Sequence, residues 1–143
     1  MGLPRCRYVK DGEEGVYHCY SRCVRRAFLC GYDPLTKRDF SHRKKLILDR
    51  LRYLATVFAI EICAYAILEN HLHNILRTRP DIVANWTDME VATRWLTLFP
   101  GHRATGGAAA LPTEEEIQAL ANRPERIALL RQRLCSLSSV SYT

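Results

Sequence analysis

The chain contains no apolar run approaching the roughly 20 residues needed to cross a bilayer, so a membrane-spanning helix is excluded. Its opening stretch, MGLPRCRYVKDGEEG, lacks the apolar core of a secretory signal, and a cytoplasmic protein is the expectation. The six cysteines, Cys6, Cys19, Cys23, Cys30, Cys63 and Cys135, are scattered rather than paired at close spacing. Only Cys19-x-x-x-Cys23 comes near a metal-ligand spacing, so reduced thiols are expected in place of a disulfide framework or structural zinc. There is no internal repeat, and 143 residues are too few for two independent cores, so a single compact domain over residues 1–143 is expected.

What is present is an excess of positive charge. The formal net charge is +6, and residues 1–50 hold twelve Lys or Arg against six Asp or Glu. The clusters Arg22, Arg25, Arg26 and Arg43, Lys44, Lys45 suit a phosphate-rich partner whose counterions they would displace; charge alone fits a solvated basic face equally well.

Hydrophobic period then gives the order of elements. Residues 15–23, GVYHCYSRC, are rich in β-formers and read as a first strand. From Ser41 to Phe58 the apolar residues Ile47, Leu51, Leu54 and Phe58 recur at helical spacing, with Arg43, Lys44, Arg50 and Arg52 on other faces. Residues 60–68 alternate as a half-buried strand, Glu69-Asn70 makes a tight turn, and residues 71–78 return as the second arm of a hairpin ended by Arg79-Pro80. Thr87 with Glu90, and Thr113 with Glu116, are capping-box signatures that open helices on either side of a glycine-rich loop over 100–112. Pro124 sits at the first turn of a last helix, with Ile127, Leu130, Leu134 and Leu137 on one stripe. This order predicts an α+β fold with an antiparallel sheet and helices packed on one face, of the split β-α-β kind.

His71-Leu72-His73 is the triplet with chemistry in it. The two-residue period of a strand sends both imidazoles to one face and Leu72 to the other, where the pair could share a divalent ion that polarises a phosphate. On spacing alone, the same pattern also fits zinc enzymes, chance, or two histidines making hydrogen bonds on a polar face.

The surrounding residues resemble a known family. AYAILENHLHNILR (64–77) looks like the "M-x-N-H-x-H" hairpin of the HUH (His-hydrophobic-His) single-tyrosine transposases, including the REP-associated group, and YHCYSRCVRRAFL (17–29) is similar to that family's opening "Y-H-V-x-x-R-x-x-R-R" segment. Residues 86–101 and 112–134 also resemble a longer bacterial branch. The resemblance implies a ferredoxin/RRM-like HUH fold, His71 and His73 as ligands of Mg2+ or Mn2+, and Asn70 as the asparagine preceding them. It further implies single-stranded DNA with hairpins as partner, a homodimer, and cleavage and rejoining of a phosphodiester through a 5′-phosphotyrosine. With it, Arg22, Arg25, Arg26, Lys44 and Lys45 become candidate phosphate contacts beside Asn70.

The departures concern the nucleophile. The family's tyrosine lies on a helix after the second histidine, followed by a third metal ligand, whereas the one tyrosine beyond His73 is Tyr142. Tyr142 is therefore the candidate nucleophile, on a domain expected to be C-terminally truncated; two alternatives are a catalytically inactive DNA-binding remnant and a metal-dependent nucleotide phosphoesterase. Glu69 and Asn74 also depart from the residues usual there. Tyr17, Tyr20, Tyr53 and Tyr65 read as packing aromatics, Tyr65 being the one near the histidines in topology. His18 reads as a hydrogen-bonded strand histidine with some reach toward a metal or phosphate, Trp86 as a base-stacking candidate, and Trp95 as core.

Overall fold

A computed structural model describes residues 7–23, 28–100 and 110–140. The elements are β1 (Gly15–Arg22), β2 (Tyr32–Asp33), β3 (Arg38–Asp39), α1 (His42–Val57), β4 (Ile60–Ile67), β5 (His71–Thr78), α2 (Pro80–Asn85), α3 (Asp88–Leu98), α4 (Glu114–Ala121), α5 (Pro124–Leu134) and α6 (Leu137–Val140). They form an α+β fold with a small antiparallel sheet and packed helices. The chain divides into two compact units, one of Val16–Thr56 and Ile60–Arg77, the other of Met1–Gly15, Val57–Ala59 and Thr78–Thr143. Among the described residues no helix is long and apolar enough to cross a membrane.

The main sheet has the order β1-β5-β4. At one end of β1 the Gly15 amide donates to Thr78 Oγ1 at 3.0 Å, and beyond its other end the Cys23 amide donates to the Asn70 carbonyl at 2.9 Å, so β1 and β5 are antiparallel. The Leu68 amide closes the β4–β5 hairpin on the His71 carbonyl at 2.9 Å. The strands joined by α1 therefore run parallel to each other, with β5 between them. On β5, Leu72 lines an apolar groove of about 630 Å³ with Phe28, Leu29, Ile47 and Leu51, which puts α1 over the face that Leu72 occupies. Leu76, at the same parity, is buried, as are Leu54 of α1 and Ile60 and Ile67 of β4.

A second, two-stranded sheet pairs Tyr32 with Asp39 and Asp33 with Arg38. Sequence periodicity did not reveal it, because two-residue strands have no period to read. Its loop is held by Asp33, whose carboxylate accepts the Leu35 amide at 2.9 Å and the Thr36 hydroxyl at 2.6 Å. Below it, the Phe40 amide donates to the Gly31 carbonyl at 2.7 Å. Gly31 has φ +83, and a Cβ there would lie 3.3 Å from Glu69 Cγ, so glycine serves both the turn and the close approach.

In the helical unit both capping boxes form: Thr87 accepts the Glu90 amide while Glu90 accepts the Thr87 amide, and Thr113 and Glu116 do the same. Pro80 and Pro124 each occupy a first-turn position, where the missing amide costs nothing. The first of these starts α2, a helix beginning where the sequence pattern indicated only the end of a strand. Val91 and Ala92 of α3 and Ile127, Leu130 and Leu134 of α5 are buried, and Leu137 continues that stripe into α6. Arg131 ties the helices together, donating to the Val83 carbonyl and to Asp88, each at 2.7 Å.

Candidate functional site

The face of the sheet away from Leu72 carries a group of rings. Alternation puts His71 and His73 of β5 on this face, both half-buried, and on β1 Val16, His18 and Tyr20 are the exposed positions of a two-residue alternation, after which Ser21 and Arg22 are both exposed. The ring centroids of His71 and His73 are 5.0 Å apart with an interplanar angle of 79°. His18 stacks on His73 at 5.0 Å and 17°, and Tyr20 lies 5.0 Å from His73 and 5.8 Å from His71.

Two hydrogen bonds bear on the protonation of this group. His71 Nδ1 meets Asn70 Oδ1, an oxygen that can only accept, so the proton of neutral His71 sits on Nδ1 and its Nε2 carries a lone pair. His73 Nδ1 lies 2.8 Å from His18 Nε2. If His73 donates here, His18 holds its own proton on Nδ1 and His73 likewise presents a bare Nε2. Partial burial of its ring, and then the neighbouring imidazoles of His71 and His18, hold His73 below the ordinary imidazole value of 6.5, a shift that favours the neutral ring.

These donors can be compared with what a divalent ion needs. A metal–nitrogen bond of ~2.1 Å puts an ion roughly 3.2 Å from the centre of a ligating ring, and two such rings at a little over a right angle have centres about 5 Å apart. The observed 5.0 Å between His71 and His73 fits that spacing. His71 also engages its Nδ1 with an oxygen, as metal-bound imidazoles do, whereas the Nδ1 partner of His73 is another imidazole. Among the described residues no group of three or more His, Cys, Asp or Glu side chains is placed to hold a metal ion, and His18 is engaged with His73 rather than beside a shared ion.

The remaining candidates are spread more widely. Asn70 occupies the turn before β5, Arg22 is exposed at the end of β1, and Lys44 and Lys45 are exposed in the first turn of α1, where Lys45 pairs with Asp49 at 2.7 Å. Arg25, Arg26 and Tyr142 lie outside the described residues. Among the described residues the tyrosine whose ring meets the histidines is Tyr20; Tyr65 is exposed on β4. Two-residue spacing from His18 could have marked Tyr20, but the pairing of β1 beside β5 that makes the contact is not a local property of sequence. Trp86 is covered by the Arg94 guanidinium at 3.9 Å, and the Trp95 ring lies 4.6 Å from that of Phe99, tilted by 37°. Among the described residues, Cys19, Cys23, Cys30, Cys63 and Cys135 are not joined in disulfides.

A family described as "Protein of unknown function (DUF2972)" is similar to this chain over residues 34–90, less than half its length. No curated protein and no solved structure matches the chain.

Proposed function

We propose that the chain is a DNA-processing protein of the HUH single-tyrosine transposase type. In this reading it binds folded single-stranded DNA over the imidazole face of the sheet and nicks and rejoins the strand with the help of Mg2+ or Mn2+. The observation that carries the reading is the His71–His73 pair at 5.0 Å on an open sheet face, with each Nδ1 engaged by a neighbour. The order β1-β5-β4 around α1 supports the reading, being the order that a split β-α-β unit would have.

Each residue then has a task. His71 and His73 supply two nitrogen donors, and Asn70 and His18 hold those rings in the tautomer that donates. Tyr20 offers an exposed ring on which an unpaired base can stack, and Arg22 and Lys44 offer charge to the backbone. A bound divalent ion would stabilise the negative charge that develops on a scissile phosphate. A tyrosine nucleophile would leave the DNA on the protein as a 5′-phosphotyrosine, with a free 3′-hydroxyl on the other fragment.

The test is incubation of the chain with a labelled hairpin-bearing single strand, with and without Mn2+. Metal-dependent cleavage with a covalent protein–DNA adduct, lost in His71→Ala and His73→Ala, is expected. Tight hairpin binding without any adduct would reduce the protein to a binding module. Preference for a free nucleotide over the hairpin would replace the reading with a phosphoesterase.

A further inference from the structure

The β2–β3 hairpin is pinned at its turn by the buried Asp33 carboxylate and presents an apolar side chain at its tip. Leu35 is 82% exposed, yet its own amide is held by Asp33, and the next hydroxyl, that of Thr36, is bonded to the same carboxylate. Lys37 and Arg38 follow directly, both exposed and neither in an ion pair among the described residues. A solvent-facing leucine alone is unremarkable. A leucine fixed on a pre-formed turn, with two uncommitted cations beside it, is a surface whose ordering cost is met before any partner arrives.

The foot of the hairpin is fastened to the turn that leads into the imidazole strand. The Cys30 amide donates to the Glu69 carbonyl at 3.1 Å, Cys30 Sγ donates to the Leu68 carbonyl at 3.2 Å, and Gly31 abuts the Glu69 side chain. Asn70 and His71 are the next residues along. The hairpin is thus held at the entrance to the strand that bears the histidines.

We propose that this hairpin docks the base-paired stem of a folded DNA strand, with Leu35 as an apolar wedge against a base step or the stem end and Lys37 and Arg38 on phosphates. The inference rests on the reading of the imidazole face as a DNA site and names the part of the substrate met outside it. The charges select a polyanion, and apolar side chains of this size are used elsewhere to lever against stacked bases. One leucine is too little apolar area to hold a lipid surface.

The experiment measures binding of the full chain to two DNA probes, a stem-loop and an unstructured strand of equal length, across a salt series. All three side chains are exposed, and unchanged circular dichroism and melting temperature establish that the variants fold. K37Q/R38Q is expected to weaken stem-loop binding and to lower the slope of log affinity against log salt by about two, since each phosphate contact contributes ~0.9. Leu35→Asn is expected to weaken the stem-loop roughly tenfold, with the slope and the unstructured strand unaffected, as loss of an uncharged contact to the stem requires. Variants that bind the stem-loop as the natural chain does, or a Leu35→Asn protein that weakens on both probes alike, would overturn the inference while leaving the DNA reading in place. Failure of the natural chain to bind either probe would remove both.

Discussion

Replacing His18 by Ala tests the imidazole site through a residue that need not touch a metal. In the structure His73 Nδ1 has, among the described residues, His18 Nε2 as its partner at 2.8 Å, and the two rings stack at 17°. Without it, neutral His73 is free to hold its proton on either nitrogen, and in one of those tautomers Nε2 is no longer a donor. Loss of an outer partner of this kind lowers metal affinity about 10- to 100-fold. The expected result is that His18→Ala weakens Mn2+ binding by that factor, His18→Gln recovers part of it through its side-chain carbonyl, and His73→Ala abolishes it. Titration followed by electron paramagnetic resonance reads the affinity, and 15N chemical shifts of the imidazoles read the tautomer independently of any activity. A His18→Ala protein that binds Mn2+ as tightly as the natural chain, or a His73 whose proton is found on Nε2, would refute the reasoning.

Other expectations concern the scaffold. Leu130 is fully buried, and Leu130→Ala should cost ~3–4 kcal/mol in urea denaturation; a cost under 1 kcal/mol would mean that α5 is not packed as described. Asn74 Oδ1 is buried without a hydrogen-bond partner among the described residues, so Asn74→Leu should stabilise the chain by about 1 kcal/mol, and a loss of stability would reveal a partner for that oxygen. The Thr36 hydroxyl, and after it the Leu35 amide, hold the Asp33 carboxyl below its ordinary value of 3.8. Because the folded form binds that proton less readily than the unfolded one, its contribution is present above 3.8 and lost as the pH falls through the lower folded value. Protection of the Leu35 amide from hydrogen exchange should therefore persist to below pH 3.8 and be missing at every pH in Asp33→Ala.

Much of this arrangement was legible where the cause is local. Thr87 with Glu90 and Thr113 with Glu116 mark their helices because each box is closed by residues three apart. The apolar run over residues 60–68 and the return over 71–78 marked both arms of the hairpin, but burial along β4 does not alternate as expected: Ile60 and Ile67, of opposite parity, are buried, while Ala64, Ala66 and Leu68 are exposed. Pro80 was ambiguous: it ends a strand as readily as it occupies the first turn of a helix, and Asp81 in that first turn was the available signal for α2. The β2–β3 pairing depends on one carboxylate gripping its own loop, and the meeting of Tyr20 and His18 with His73 depends on which strand lies beside which. Neither follows from hydrophobic period.

Strand β5 has the imidazoles on one side and Leu72 and Leu76 on the other, so its two parities answer to different demands. A substitution at any one position disturbs one side of the ledger only. Adding or deleting a single residue within His71–His73 would exchange the sides downstream, turning a histidine under α1 and a leucine toward solvent. Variation along this stretch is thus expected to run through replacement and never through change of length, and a one-residue insertion there should abolish folding and ligand binding together.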